Sequence, residues 1–443
     1  MRSNGNEIKK QLININMAEK PISINLPEPE RIVPMNNPTM PINIHQWRSI
    51  IIEHYPISIT AAESALSITA QLLINDVHHP FPLVLIGPPS SGKTTVLNFF
   101  NELDGVSYTT DGFTSSALVS MHMGTKKSEL SKNDLLPRMR RKVVLVRDMS
   151  VLFSKRDEDL RDLIGKLTRV FDGEGLVMDS GPHGERGYIG DYSFMMLAAS
   201  TPIRNRVWRL MGSLGSRFFF QHFPTKTKND AELANQLAGL PSKTKEHACR
   251  EATTEIVRTL WQEYPTGIDW LRSADPDECL NFITQCGRLL SCLRSEPGTL
   301  QHDGNKKFID EFVEPNIEQP DRVINLLYNF ARGHALACGR TQLTEEDLPL
   351  ILRISLDSTP PTRMALIRAL ITNKGSLNTE QAQVILGKAN QLAGREMEIL
   401  RILGICKSVS AHTGVGRPHN TIEFAEGFTW LLSERFIDIY NQI

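Results

Sequence analysis

No stretch of the 443 residues approaches the eighteen or so consecutive apolar residues that a membrane helix needs, and the N-terminus has charges but no apolar core of signal-peptide length. Neither sign of charge is in excess. With 49 Lys and Arg against 50 Asp and Glu there is no global basic field, so contact with a polyanion has to come from local patches. Cysteine is sparse, six in all, with neither metal-ligand spacing nor a disulfide framework. Cys279, Cys286 and Cys292 share one helical stretch and read as small, mostly buried side chains rather than ligands. These absences argue against a membrane partner and fit a reducing compartment, so the expected location is cytoplasmic. The length suffices for two or three domains, each with its own core.

Against that background one segment stands out. Residues 87 to 94 read Gly87-Pro88-Pro89-Ser90-Ser91-Gly92-Lys93-Thr94, a complete G-x-x-x-x-G-K-[ST] pattern, between the apolar run 81–86 and the helix-compatible run 95–100. Strand, glycine-rich turn and helix, in that order, aim backbone N–H groups and a helix N-terminus at one spot, which suits the β- and γ-phosphates of a nucleoside triphosphate. A chance match on an unrelated turn is disfavoured by the strand before and the helix after. ATP is therefore expected to bind at Gly87 through Thr95, with Lys93 neutralising the phosphates and Thr94 holding Mg²⁺ through its hydroxyl.

Such a loop needs an acidic metal partner about one strand further on. The β-branched run from Lys142 ends in Asp148, which is assigned to the Mg²⁺ shell; a core strand ended by a solvated Asp is the alternative. The next position, where a water-polarising Glu is usual, is Met149, so hydrolysis is expected to be slow or to use another carboxylate. A third apolar strand, Ser193 to Ala199, ends in Ser200-Thr201, and a polar residue there is expected between the acidic and phosphate strands, orienting water against the γ-phosphate. Arg217, in Leu214-Gly215-Ser216-Arg217-Phe218, can complete a neighbour's site from a subunit edge, and Arg322, opening the helix 324–331, can reach back to the nucleotide. Taken alone each Arg reads first as a surface or salt-bridged side chain; their order along the chain changes that.

The punctuation divides the chain. Prolines at 21, 27, 29, 34, 38 and 41 make residues 1–44 an extended arm, weakly ordered alone, with the option of docking on a neighbour. Two amphipathic helices are expected between Ile44 and about Asn75. Apolar strands alternating with helical segments from 81 to 224 indicate a parallel sheet covered on both faces, giving an α/β domain over 45–225 and a helical one over 226–357. Asp357-Ser358-Thr359-Pro360-Pro361 reads as a break before a separate small domain, 361–443.

The order phosphate loop, acidic strand, polar-ended strand, Ser-Arg-Phe and a helix opened by Arg322 resembles that of the AAA+ ATPases, from about 45 to 357. Within them the chain is similar to the branch containing minichromosome-maintenance-type helicases, through Gly215-Ser216-Arg217-Phe218, through Arg322 to Ala335 leading to Thr344-Glu345-Glu346-Asp347, and through an insertion before the third strand. It also resembles uncharacterised bacterial and mobile-element ATPases, in residues 87–96 and in the Asp-Ser-Gly-x-x-Gly-x-Arg-Gly-Tyr run at 179–188. The resemblance implies a P-loop parallel sheet (an AAA+ core) with a helical lid. It further implies Arg217 as an arginine finger in trans, Arg322 as sensor 2, Ser200 or Thr201 as sensor 1, and a ring or open ring of identical protomers with sites between them. Met149, and Ser-Thr where Asn is commoner, depart from the pattern.

The insertion, 172–192, is glycine-rich with short β-prone pieces and reads as a hairpin or mobile loop. His183, Arg186 and Tyr188 offer a donor, a phosphate clamp and a stacking face to nucleic acid. An interprotomer packing loop with Arg186 paired to Asp179 or Glu185 is equally open. In the last domain, helical segments Met364–Asn373, Thr379–Leu386 and Lys388–Leu403 precede strand-like Ile405–Ala411, a glycine-rich tip at 414–418 and Thr421–Phe424, the layout of a winged helix. Its third helix presents Lys388, Asn390, Gln391 and Arg395 to a major groove, with Arg417 and His419 at the wing. Nine Lys and Arg against seven Asp and Glu over 361–443 make the field weak, and a protein-docking role stays open beside DNA.

The functional expectation is an ATP-hydrolysing, self-assembling AAA+ ATPase with a C-terminal winged-helix-like domain. It acts on DNA or a DNA-bound complex as a loader, remodeller or mobile-element factor, with an unidentified protein partner. The alternatives are a nucleotide-gated switch in transcription control or defence and a scaffold that binds ATP without hydrolysis.

Overall fold

The computed structural model describes residues 22–24, 41–120, 131–180, 184–215, 217–225, 227, 229–297, 315–411 and 419–443. Strand β1 (Ile22–Ile24) and helices α1 (Ile44–His54) and α2 (Ile59–Ala70) precede the central sheet. α1 starts where Asn43 accepts from Gln46 N and the Gln46 side chain accepts from Asn43 N, a reciprocal cap that satisfies two otherwise orphaned donors. The expected helix pair is present, but α2 is buried on nearly every side, packed against helix α9 described below.

The sheet holds β2 (Pro82–Ile86), β3 (Ser107–Thr110), β4 (Val143–Val146), β7 (Met195–Ser200) and β8 (Phe219–His222), with a hairpin β5 (Gly175–Ser180) and β6 (Gly184–Ile189) outside it. The order is β3-β4-β7-β2-β8, and every neighbouring pair is parallel. Alternate side chains feed two cores: Leu83 and Leu85 of β2 face one, Val84 and Ile86 the other. α3 (Lys93–Phe99) covers the first face with α2; α4 (Asp157–Val170) and α5 (Asn205–Leu214) cover the second. Strands buried on both faces explain why 143–146 and 195–199 are uninterrupted apolar runs. Because all strands run one way, their C-terminal ends share one edge, about 16 Å from the opposite edge for five residues.

The chain is then helical: α6 (Asp230–Ala238), α7 (Ser242–Glu263), α8 (Asp277–Arg294), α9 (Asp321–Ala337) and α10 (Leu348–Asp357). α7 packs on α1 and α3, and Cys279 and Cys286 are buried in α8 as expected, with Cys292 partly so. The end of α10 covers edge strand β8, since Asp357 Oδ2 accepts from His222 N and Ser358 Oγ from Phe220 N, both at 2.9 Å.

That clamp changes the reading of residues 357–361 as a break. Asp357, Ser358 and Thr359 are buried, α11 (Pro361–Thr372) follows at once, and the buried Arg363 donates to the carbonyls of Leu293 (2.6 Å) and Ser295 (2.7 Å). After α11 come β9 (Ser376–Asn378), α12 (Thr379–Leu386), α13 (Asn390–Ile402), β10 (Cys406–Ala411) and β11 (His419–Phe424), in an antiparallel sheet of order β10-β11-β9. α14 (Glu434–Tyr440) returns to α10, and one apolar core runs from the sheet through the helical region into this module.

The insertion forms an antiparallel hairpin, β5 with β6, and β1 of the N-terminal arm adds to β6 in parallel, Ile22 opposite Arg186 and Ile24 opposite Tyr188. Gly175 has φ +94°, and a side chain there would run into the carbonyl oxygen of Tyr188. The arm thus covers one edge of the hairpin within its own chain.

Candidate phosphate-binding site

Residues 87–92 connect β2 to α3 at the C-terminal edge of the sheet. Gly87 N donates to Ser200 O at 3.2 Å, anchoring the loop to β7. A Cβ on Gly87 would meet Ser91 Oγ at 3.0 Å and Phe223 Cβ at 3.2 Å. Ser90 (φ 61°) and Gly92 (φ 105°) are left-handed, the kind of backbone alternation that turns successive N–H groups into a concave anion nest. Pro88, Pro89 and Ser90 are exposed, and Thr94 presents its side chain to solvent at the start of α3.

Lys93 is 7% exposed, and its ammonium donates to Gly87 O (2.8 Å), Pro88 O (2.7 Å) and Ser91 Oγ (3.2 Å). Burial pushes its pKa down and the negative charge of Asp148 opposes the shift, so loop and acidic strand belong to one electrostatic site. A phosphate entering the loop has to draw Lys93 from these oxygens, which is an exchange of partners rather than a new desolvation.

Asp148 lies exposed just past β4, and its Oδ1 accepts from Ser150 N at 2.8 Å. Ser150 Oγ in turn accepts from Thr201 N (2.9 Å) and Thr201 Oγ1 (3.0 Å), while Ser200 Oγ donates to Thr201 O (2.9 Å). The strand order puts Ser200 and Thr201 between the phosphate strand and the acidic strand, as their polarity led us to expect. Ser150 joins the two and was not singled out from sequence, since nothing marks a serine two residues past an acid. Thr94 and Asp148 carry oxygen donors of the kind that would hold a hard cation such as Mg²⁺. Among the described residues no cluster of three or more His, Cys, Asp or Glu could hold a metal alone.

Met149 is fully buried in the core beneath α4 and α5, and its N donates to Ala199 O at 2.8 Å. The side chain at the usual position of the general base thus points into the apolar core. Asp111, past β3, pairs with Arg147 and lies three strand spacings from β2, on the order of 14 Å.

The two arginines stand elsewhere. Arg217 precedes β8 and therefore lies at the N-terminal edge, opposite the phosphate loop. It is buried rather than displayed: Nε and NH2 donate to Asp172 Oδ1 at 3.3 and 3.1 Å. Burial, and then the charge of Arg322, push its pKa down. Arg322 is thus its electrostatic neighbour, 3.9 Å from Glu318, which also takes both 2.6 and 2.7 Å bonds from Arg294. Phe330, two turns along α9, stacks on Phe81 at the start of β2 (5.0 Å). Arg322 thus groups with Arg217 and Glu318 near the N-terminal end of β8, whereas residues 87–92 stand at the C-terminal ends of the strands. Helix 321–337 packs against the start of β2 through Phe330, a long-range arrangement its own pattern does not encode.

The nucleic-acid candidates fare unevenly. Tyr188 is not a stacking face; it is 1% exposed and its hydroxyl donates to Asp134 Oδ2 at 2.7 Å. Arg186 is half-buried, with its charge acting on that same Asp134. Lys388 Nζ donates to Glu396 Oε1 (3.2 Å), and Lys388 and Arg395 line a cleft of about 430 Å³ that faces Arg209 of α5. Gln391 and Arg395 are exposed, and Arg417 and His183 lie outside the described residues.

No protein-family model matches the chain, and no curated protein matches it. Among the described residues no helix is long and apolar enough to cross a membrane.

Proposed function

We propose that the chain is an AAA+-type ATPase that binds ATP at Gly87–Thr95 with Mg²⁺ held by Thr94 and Asp148, assembles with copies of itself, and acts on DNA or a DNA-bound protein complex. The observation that carries this reading is the insertion of β7 between β2 and β4, which sets Ser200 and Thr201 between Lys93 and Asp148. Bound Mg²⁺ would supply charge neutralisation of the phosphates. Lys93 turns from loop carbonyls to phosphate, the nest donates N–H groups, and the Asp148–Ser150–Thr201 chain holds water-orienting hydroxyls in register.

Self-assembly is supported by the second edge. Arg217 and Arg322 gather about a sheet's length from their own loop, so any phosphate they touch belongs to another protomer. Arg217 would leave Asp172 to serve as a finger in trans. The helical region is then the lid domain, and the helix–strand–helix–helix–hairpin order of 361–424 supports a winged-helix-like module with Gln391 and Arg395 on its exposed helix.

A second reading, a nucleotide-gated switch with slow turnover, is favoured by the burial of Met149. ATPase rates with and without single- and double-stranded DNA, with solution mass in a slowly hydrolysed ATP analogue, separate the two. DNA stimulation with analogue-driven assembly supports the first reading. Turnover that DNA leaves unchanged supports the switch.

A further inference from the structure

Far from the phosphate loop, α9 ends in a Cys–His–Asp arrangement that the proposed function does not use. Cys338 Sγ lies 3.8 Å from His334 Nε2, and His334 Nδ1 lies 2.6 Å from Asp347 Oδ1. His334 and Asp347 are both buried, whereas Cys338 is partly exposed. Arg48 NH2 reaches the sulfur from α1 at 3.7 Å, and Arg340 binds both Asp347 oxygens at 2.9 Å. Around the sulfur, His334, Arg48 and Arg340 face two carboxylates, Asp347 and the Arg48 partner Glu63, which leaves room for one further negative charge. Glu346, near Arg340, is mostly solvent-exposed.

Cys338 also borders open space. Cys338 lines a cleft of about 360 Å³, with Ile42, His45, Ile256, Leu260 and Glu263 as walls. Burial works against a charged His334, yet Asp347 and Cys338 lift its pKa to about 9. Burial likewise disfavours a thiolate at Cys338, but His334, Arg48 and Arg340 outweigh it and bring its pKa below the ordinary value. Burial pushes Cys249 and Cys406 up to about 12 and Cys279 to about 11, and it raises Cys286 and Cys292 as well.

We propose that Cys338 is a modification site, a thiolate set by the His334–Asp347 pair and Arg48 to exchange with a small disulfide that enters the cleft beside residues 41–46. The Cys338 sulfur attacks one sulfur of the disulfide, whose S–S bond breaks as the new one forms. The departing half is reduced to a thiolate and takes up the proton that Cys338 gave up, while Cys338 is oxidised to the disulfide level by the same two electrons, so the small disulfide is the oxidant and no other is needed. Both lower thiol pKa and access favour such exchange.

The test uses the full-length protein with oxidised glutathione at pH 7, read by intact mass and peptide mapping, and iodoacetamide alkylation rates across pH. The expected result is one glutathione per chain, on Cys338, formed at least about tenfold faster than on any other cysteine, as its lower pKa and exposure require. Alkylation of Cys338 should level off below about pH 8.5, the ordinary thiol value. His334→Gln should move that plateau up, and Arg48→Gln, at a partly buried position of α1, does the same where the fully buried variant fails to fold. Glutathione on another cysteine first, or a Cys338 rate still climbing with pH through the ordinary thiol range, overturns the proposal.

Discussion

Ser150 Oγ accepts both the backbone N–H of Thr201 (2.9 Å) and its hydroxyl (3.0 Å), tying the loop after the acidic strand to the end of the strand beside the phosphate loop. With Ser150 N on Asp148, the carboxylate proposed for the metal and the hydroxyl proposed for water are positioned by one residue. Ser150→Ala should therefore leave nucleotide affinity within about twofold and lower kcat by about tenfold, the cost of one misaligned positioning group. Steady-state turnover against nucleotide titration checks this; equal kcat would remove Ser150 from the site.

Lys93→Ala should abolish triphosphate affinity or turnover, because the ammonium is the loop's one side-chain cation. Asp148→Asn should spare binding and suppress turnover, since in the proposed function the carboxylate would touch the cation and not the backbone nest. Calorimetric titration with ATP and Mg²⁺, alongside phosphate release, distinguishes the two variants.

The placement of the loop and the parallel strands was legible because the pattern is contiguous: one octapeptide carries the turn and the lysine, and apolar runs buried on both faces announce parallel strands. The polar end of 193–199 was legible too, since a strand between an acid and a phosphate loop has reason to end in hydroxyls. The C-terminal segments were read within a few residues for the same local reason. Arg322 and Tyr188 were misread because their surroundings come from elsewhere in the chain. Arg322 meets Arg217 from more than a hundred positions away, and Tyr188 meets Asp134 across 54 positions. Strand β1 escaped notice because three residues of a proline-rich arm gain their structure only from β6.

Tyr188→Phe should cost about 1–3 kcal/mol, since it leaves a buried acceptor, Asp134, short of a partner, and should leave any DNA affinity unchanged. Urea melts and a DNA titration measure both. A loss of DNA affinity at unchanged stability would restore the stacking role.

The His334–Asp347 pair makes stability depend on pH from both sides. The His334 pKa is raised to about 9, so its contribution is full below its ordinary 6.5 and is lost as pH rises through about 9. Asp347 is held below the carboxylate range despite burial, by His334 and Arg340, so its contribution is full above the ordinary 3.8 and is lost as pH falls through its folded value. Cys338, favoured as thiolate in the fold, offsets part of the alkaline loss, so the comparison belongs in a Cys338→Ser background. There the His334 pKa loses the lift from Cys338 and keeps that from Asp347, so Tm should still fall as pH rises above 7, and His334→Gln should flatten that slope while lowering stability at pH 7 by about 3–5 kcal/mol, the cost of breaking a buried ion pair.

In the assembly proposed above, the phosphate loop of one protomer is completed by the opposite sheet edge of another. Arg217→Ala should bind ATP yet hydrolyse it about 10³–10⁵-fold more slowly, as for other arginine fingers. The most direct measurement mixes Arg217→Ala with Lys93→Ala subunits, each inactive alone, and follows phosphate release. Partial recovery of activity is the predicted result, because a mixed interface pairs an intact loop with an intact arginine. No recovery, where mass measurement shows mixed assemblies, would contradict the account and leave Arg217 to its pairing with Asp172.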